Sequence, residues 1–282
     1  MKVIKGAVRY LDSQTRILEV KTPTKIEYVY LTRSLMSRFK IFLKENTYVE
    51  LEVASVSELK DNRLIYEVLA FIKIVQNDVN KSKVLYDIRT IRKEINSVLS
   101  KDTNKMFIDL EFTMPEYGVH GPFKSEIIQF GYLIEDKNGK IIDTHSSLIK
   151  PVNSVLTNRT LEFINRSITD FDDAITQQDF YNTFKETIEK YNPTIIVWGA
   201  NDIIMLDAFY KDINKEPLTS RGSFINIMQV IKNYFGMKYD LGLFKAKALF
   251  SEKQEENQEH DALTDAETTR EVFHLFKDYN NK

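Results

Sequence analysis

Phe107-Ile108-Asp109-Leu110-Glu111-Phe112-Thr113 is the stretch on which the reading of the fold turns. It is apolar, β-branched and aromatic apart from two acids, and the acids stand at alternate positions. A strand turns every second side chain to the same face, so Asp109 and Glu111 project together while Ile108 and Leu110 face the other way. In a chain with 41 Asp plus Glu among 282 residues, an Asp-x-Glu triplet arises by chance about once or twice. A second one stands at Asp265-Ala266-Glu267. The triplet therefore gains meaning only from what accompanies it.

Two further blocks accompany it in order. Trp198-Gly199-Ala200-Asn201-Asp202 follows the apolar run Ile195-Ile196-Val197, and His260-Asp261-Ala262-Leu263-Thr264-Asp265-Ala266 lies near the C-terminus. Asp202 alone reads equally well as the N-cap of a following helix. Asp261 can cap a helix, Ala262 and Ala266 give that helix a small face for close packing, and Asp265 leaves its first turns while His260 stays in the preceding loop. Four acids brought together make an oxygen-rich site for hard divalent cations, and a histidine beside them can move protons. This is the equipment of a two-metal phosphodiesterase.

With Asp109-x-Glu111, the Trp198-to-Asp202 block and His260-x-x-x-x-Asp265 in place, residues 104–279 resemble the DEDDh (DnaQ-like) 3′–5′ exonucleases. Asp109-Leu110-Glu111-Phe112-Thr113, followed by Ser125-Glu126-Ile127-Ile128-Gln129-Phe130-Gly131, is most similar to the ERI-like exoribonucleases and their bacterial relatives. The resemblance implies an RNase H-like fold, two Mg²⁺ or Mn²⁺ ions, and hydrolysis of a terminal phosphodiester to nucleoside 5′-monophosphates. All five motif residues are present. Asp109, Glu111, Asp202 and Asp265 are the expected metal ligands, with Asp109 bridging. His260 is the expected base, since a free imidazole suits near-neutral pH and carboxylates on a cation are poor bases. His260 also reads as a plain loop residue, and four histidines without a cysteine leave little for a structural zinc site. Phe112 and Thr113 are expected to meet the terminal base and its backbone, and Trp198 to pack at the sheet edge.

Composition fits a globular chain of about two domains. Hydrophobic residues make up 43% with a mean hydropathy of −0.33. The absence of cysteine excludes disulfides, thiolate zinc sites and cysteine nucleophiles. Met1-Lys2-Val3-Ile4-Lys5-Gly6 lacks an apolar signal core, and no run reaches transmembrane length, so the expectation is no membrane and a cytoplasmic location. The net charge of −2 hides an asymmetry. Residues 1–103 carry 19 Lys plus Arg against 13 Asp plus Glu, and residues 104–282 carry 20 against 28. A basic forepart before an acidic catalytic half suggests divided labour, because nucleic-acid affinity leans on phosphate neutralisation.

Residues 1–76 read as a β-rich, OB-like domain with a possible nucleic-acid-binding role. Val3–Leu11, Arg16–Thr22, Lys25–Leu31, Tyr48–Ser55 and Arg63–Ile74 are predicted strands, with a helix over Leu35–Lys44 and turns at Asp12-Ser13 and Lys60-Asp61-Asn62. Tyr10, Tyr28, Tyr30, Tyr48 and Tyr66 offer stacking faces to unpaired bases, or serve as ordinary strand and core residues. Residues 77–103 read as a helical connector, with Val84, Ile88, Ile91, Ile95 and Leu99 forming one stripe. Residues 104–282 read β-β-β-α-β-α-β-α, an RNase H-like mixed five-stranded sheet flanked by helices. Its strands are expected at Lys105–Phe112, Ile127–Glu135, Lys140–Lys150, Thr194–Gly199 and Phe224–Ile227. Helices are expected at Thr176–Tyr191, from Asp202, at Met228–Tyr234 and Leu241–Phe250, and at Ala262–Asp278. The function expected is a metal-dependent 3′–5′ exonuclease on single-stranded nucleic acid, RNA before DNA. Single-stranded DNA exonuclease activity, or a non-catalytic nucleic-acid-binding regulator, are the alternatives.

Overall fold

The structure is a computed structural model and describes residues 2–60, 63–78, 81–235, 237, 239–251 and 260–281. The chain forms two compact units, Met1–Ile95 and Asn96–Lys282.

In the first unit β1 (Lys2–Asp12), β2 (Ile17–Lys21), β3 (Ile26–Tyr30), β4 (Tyr48–Lys60), β5 (Arg63–Asp78) and β6 (Lys81–Asp87) form one sheet in the order β3-β2-β1-β4-β5-β6, with β3 also paired parallel to β5. That last pairing closes β1, β2, β3, β5 and β4 into the ring of an OB-like barrel, the β-rich arrangement expected. Its inward residues form the core, among them Val8, Val20, Val29, Leu51 and Ile74. Helix α1 (Arg33–Phe39) sits between β3 and β4, capped by Thr32, and inserts Phe39 against Phe71 with ring centroids 4.3 Å apart.

One expectation is corrected here. Residues 81–87 are a strand, not the start of a connector helix. They pair antiparallel with β5, from Lys73 opposite Asp87 to Asp78 opposite Lys81. Val84 is 55% exposed and belongs to no buried stripe. Helix α2 begins only at Ile88 and runs to Leu99, with Asp87 Oδ1 accepting the Arg89 N–H at 3.0 Å as its cap. Asp61 and Asn62, read with Lys60 as a turn, lie outside the described residues.

The second unit is built on a five-stranded mixed sheet in the order β11-β10-β7-β8-β9, comprising β7 (Lys105–Phe112), β8 (Ile127–Glu135), β9 (Ile141–Leu148), β10 (Thr194–Val197) and β11 (Phe224–Asn226). The pairs β7–β8 and β8–β9 are antiparallel, and β10 pairs parallel with both β7 and β11. Helices α3 (Asn158–Phe163), α4 (Gln177–Tyr191), α5 (Asn201–Asp212), α6 (Ile227–Phe235), α7 (Leu243–Ser251) and α8 (Ala262–Asn281) complete it. This is the RNase H-like architecture expected. The strand period sorts β7 between two layers. Met106, Ile108 and Leu110 share one core with Phe180 and Phe184 of α4 and Phe209 of α5. Phe107, on the opposite face, meets Phe273 of α8 edge-on at 5.5 Å. Asp109 and Glu111 continue that second face. Three expected helices appear within a residue or two of their predicted limits, and α4 is held by a capping box between Thr176 and Asp179. Helix α3, in a stretch without periodic pattern, was not expected.

Candidate active site

Asp109 and Glu111 stand two residues apart on β7, opposite Gly131 and Gln129 of β8. Strand β10 runs parallel beside β7, with Ile196 level with Phe107, so the chain leaving β10 turns into α5 next to the two acids. The second residue of α5 is Asp202. It is buried, and its Oδ1 accepts the backbone N–H of Leu110 at 3.2 Å.

The third block arrives on α8. Asp261 caps that helix, accepting the Thr264 N–H at 3.1 Å, and it also accepts Gln129 Nε2 and an Arg166 guanidinium N–H, each at 2.8 Å. The first turn of α8 presses on β8 at Gly131, where a Cβ would stand 2.3 Å from Leu263 N and 2.4 Å from Ala262 C. Only a hydrogen fits there. Ala262 supplies the small partner on the helix side, so the predicted small face is used as expected. Close approach brings Asp265, buried in the first turn, over β7. Glu111, His260 and Asp265 each offer a ligand atom within 4.8 Å of the others.

These residues surround one open cavity of about 430 Å³. Its lining includes every residue singled out from sequence: Asp109, Glu111, Asp202, His260 and Asp265, with Phe112 and Thr113 beside them. Trp198 lines it too, with its indole N–H donating to Leu241 O at 3.2 Å, so it packs at the sheet edge and faces the cavity as well. Thr113 is fully buried, and its hydroxyl accepts the Glu126 N–H at 2.9 Å and the Ser154 hydroxyl at 3.0 Å. Its side chain holds the segment after β7 in place.

Buried together, the acids raise one another's pKa values. Burial, followed by the charges of Asp202, Glu111, Asp265 and Asp261, holds the Asp109 carboxyl well above the usual carboxylate range. Burial and the charges of Asp265, Asp202 and Asp261 push Glu111 up to about 8. Burial pushes Asp202 up to about 7, against the pull of backbone N–H groups including that of Leu110, and Asp265 adds to the rise. Carboxyls that repel one another in a water-poor site keep protons until positive charge replaces them. Burial lowers the His260 imidazole, which favours its neutral form.

Sequence reasoning missed two contributors. Phe163 at the end of α3 stacks on the His260 ring, centroids 3.7 Å apart and planes 20° from parallel, and it lines the same cavity. Six helical residues show no usable periodicity, and the only local signal is the Thr157 cap, whose hydroxyl accepts the Thr160 N–H at 3.1 Å. The other is Gln129. Its Oε1 accepts the Ala262 N–H at 3.4 Å while its Nε2 holds Asp261, which ties the start of α8 to the strand partner of Glu111.

Comparison with known proteins agrees with this geometry. The RNase_T family model, described as exonuclease, matches residues 106–273, well over half of the chain. The probable 3′-5′ exonuclease KapD of Bacillus subtilis is 31% identical over 173 residues, which span 60% of this chain and 82% of that protein. Among solved structures, the nuclease domain of 3′hExo, a DEDDh family member bound to rAMP, shares the fold with a TM-score of 0.54 at 18% identity. The match covers 64% of this chain and 94% of that one. A full-length 3′-exonuclease gives 0.53 at 17% identity, over 62% of this chain and 61% of that one. Among the described residues no helix is long and apolar enough to cross a membrane. The chain belongs to the RNase_T exonuclease family and is a 3′–5′ exonuclease.

Proposed function

We propose that this exonuclease removes nucleoside 5′-monophosphates from the 3′ end of single-stranded nucleic acid, RNA in preference to DNA, and that it depends on two divalent cations, Mg²⁺ or Mn²⁺. The observation that carries the reading is the convergence of four acids and His260 on one open cavity. The donor set fits the ions, since hard oxygen ligands suit hard cations and Glu111 and Asp202 keep protons where positive charge is missing. Asp109, Glu111, Asp202 and Asp265 are the ligands. Bound there, the ions neutralise phosphate charge and make water more acidic.

His260 takes the proton of the attacking water as its oxygen bonds to phosphorus and the upstream 3′ oxygen leaves. The Phe163 ring fixes the plane of the imidazole. Phe112, Phe163 and Trp198 bring aromatic rings to the lining and suit the terminal nucleoside, with Thr113 holding the backbone beneath it. We assign strand grip to the N-terminal unit, with the β1–β6 sheet up to Asp87 as the OB-like module, helix α2 and the residues up to 103 as the connector and 104–282 as the catalytic domain. In the N-terminal unit Arg63 lies over Tyr28 at 4.9 Å, Arg16 over Tyr30 at 5.0 Å and Lys2 over Tyr66 at 4.0 Å, and such cation–aromatic pairs suit bases and phosphates. The basic balance of residues 1–103 suits either kind of strand, and the ERI-like context of Asp109–Thr113 together with the rAMP bound by the 3′hExo nuclease domain supports the RNA preference.

Digestion of matched, end-labelled RNA and DNA strands, with and without EDTA and with product analysis, tests the reading. Faster release of ribonucleoside 5′-monophosphates, abolished by EDTA, is expected. Faster DNA digestion would replace the substrate, and full activity in EDTA would remove the cations from the scheme.

A further inference from the structure

The segment between β7 and β8 exposes large side chains beside the cavity. Its two ends, Met114 and Ser125, are part of the cavity lining. Between them Tyr117 is 65% exposed. It is nevertheless held in place. The Glu116 carboxylate accepts the N–H of Asn158 at the start of α3 at 3.1 Å, Glu116 O accepts the Val119 N–H at 3.2 Å, and Gly118 takes a positive φ of 73° that closes the turn. Arg159, on the first turn of α3, donates to Pro115 O at 3.3 Å and lies over the Tyr117 ring at 5.3 Å.

Helix α3 links this pair to the site. Arg159 and Phe163 are four residues apart, hence on one face with Cβ atoms about 5–6 Å from each other. Phe163 stands at the catalytic cavity against His260. Successive bases of a stacked strand are separated by about 3.4 Å, so one to two nucleotide steps span the distance between the Cβ atoms of Phe163 and Arg159. An exposed aromatic ring with a guanidinium over it offers what an unpaired nucleotide binds: a stacking face for the base and N–H donors for the phosphate.

We propose that Tyr117 and Arg159 form a subsite for the nucleotides just upstream of the scissile phosphate, and that through it the enzyme distinguishes a strand from a lone nucleotide ester. The subsite rests on the exonuclease reading of the cavity and extends it to the part of the substrate that is not cleaved. Neither residue touches the reacting atoms.

Steady-state kinetics of the full chain with Mn²⁺ test it on two substrates. The p-nitrophenyl ester of thymidine 5′-monophosphate fills only the terminal site. An oligonucleotide, RNA or DNA according to which is degraded faster, also reaches Tyr117. In Tyr117→Ala the KM for the oligonucleotide should rise at least roughly fivefold, the loss of one base–aromatic stack. Ester hydrolysis should stay unchanged and Tyr117→Phe should restore the KM. Arg159→Ala should raise the same KM and flatten its dependence on salt. An unchanged KM in Tyr117→Ala, or an equal loss on both substrates, would overturn the subsite while leaving the exonuclease intact. An unaltered protein that cleaves neither substrate would overturn both readings.

Discussion

Asp202 Oδ1 accepts the backbone N–H of Leu110, the residue between Asp109 and Glu111, at 3.2 Å. One hydrogen bond thus sets α5 against β7 and fixes the separation of three acids at once. Asp202→Asn keeps an acceptor for that N–H, whereas Asp202→Ala leaves it buried and unpaired at a cost of about 1–3 kcal/mol. Asp202→Asn and Asp109→Ala should both abolish hydrolysis with the fold kept, because each removes a cation ligand. Thermal unfolding in EDTA should show Asp202→Asn at least as stable as the unaltered protein, since one repelling charge has gone. Full activity of Asp109→Ala would remove the four-acid site from the mechanism.

The acids also set a pH dependence. Glu111 holds its proton up to about 8 in the fold, against an ordinary value of 4.5. Its raised value means that the folded state binds the proton more tightly than the unfolded one. The stabilisation is present below about pH 4.5 and is lost as pH rises through about 8. In EDTA the unaltered protein should therefore lose stability relative to Glu111→Gln across that window. Saturating Mg²⁺ should shrink the difference by supplying the missing positive charge. Denaturant titrations at several pH values measure both, and parallel curves without metal would contradict the burial of Glu111 among charges.

His260→Ala should lower kcat by roughly a hundredfold or more, the usual contribution of a positioned base, with oligonucleotide binding retained. The rate of the unaltered enzyme should climb with pH as the imidazole loses its proton, and the climb should be absent in the variant. Phe163→Ala removes the ring that orients His260 and should lower kcat less than loss of the imidazole itself. A pH profile shared by His260→Ala and the unaltered enzyme would place the base elsewhere.

Gly131→Ala tests the close approach of α8 to β8. A methyl group at Gly131 meets the Leu263 and Ala262 backbone, which cannot swing aside as a side chain can. Overpacking of this kind costs roughly 1–3 kcal/mol. The helix that must move carries Asp265 and follows directly on His260, so kcat should fall along with the melting temperature. A variant with unchanged activity would show that α8 need not sit this close.

What could be seen in advance follows physical lines. The period of two in Phe107–Phe112 separates core from site, and the apolar run Ile195–Val197 marks a buried strand beside it. Both signals are local. Asp261 and Ala262 announced a capped, closely packed helix, and Gly131 in β8 is the other half of that contact. Phe163 was invisible because its partner, His260, lies almost a hundred residues away and α3 has fewer than two turns. Residues 81–87 went wrong for a related reason. Val84 stands four residues before Ile88, as in a helical stripe, but the ladder to β5 satisfies the backbone of that stretch and outweighs local pattern.

The basic N-terminal unit supplies the last prediction. Asn96–Lys282 is compact by itself and contains every proposed catalytic residue. A fragment of those residues should cleave short oligonucleotides at close to the full rate. It lacks the pairing of Arg63 with Tyr28 and of Arg16 with Tyr30, and the whole basic excess of residues 1–103. Fewer phosphate contacts weaken binding and reduce the slope of affinity against salt. On long strands the fragment should therefore show a higher KM, a shallower salt slope and release after fewer cuts. The maximal rate on a dinucleotide or trinucleotide should barely change, because so short a strand ends before it leaves the cavity. Binding isotherms at several salt concentrations, for fragment and full chain on the same long RNA, decide the point. Equal affinities and equal slopes would make the N-terminal unit a partner-binding or structural module and leave substrate grip to the catalytic unit alone.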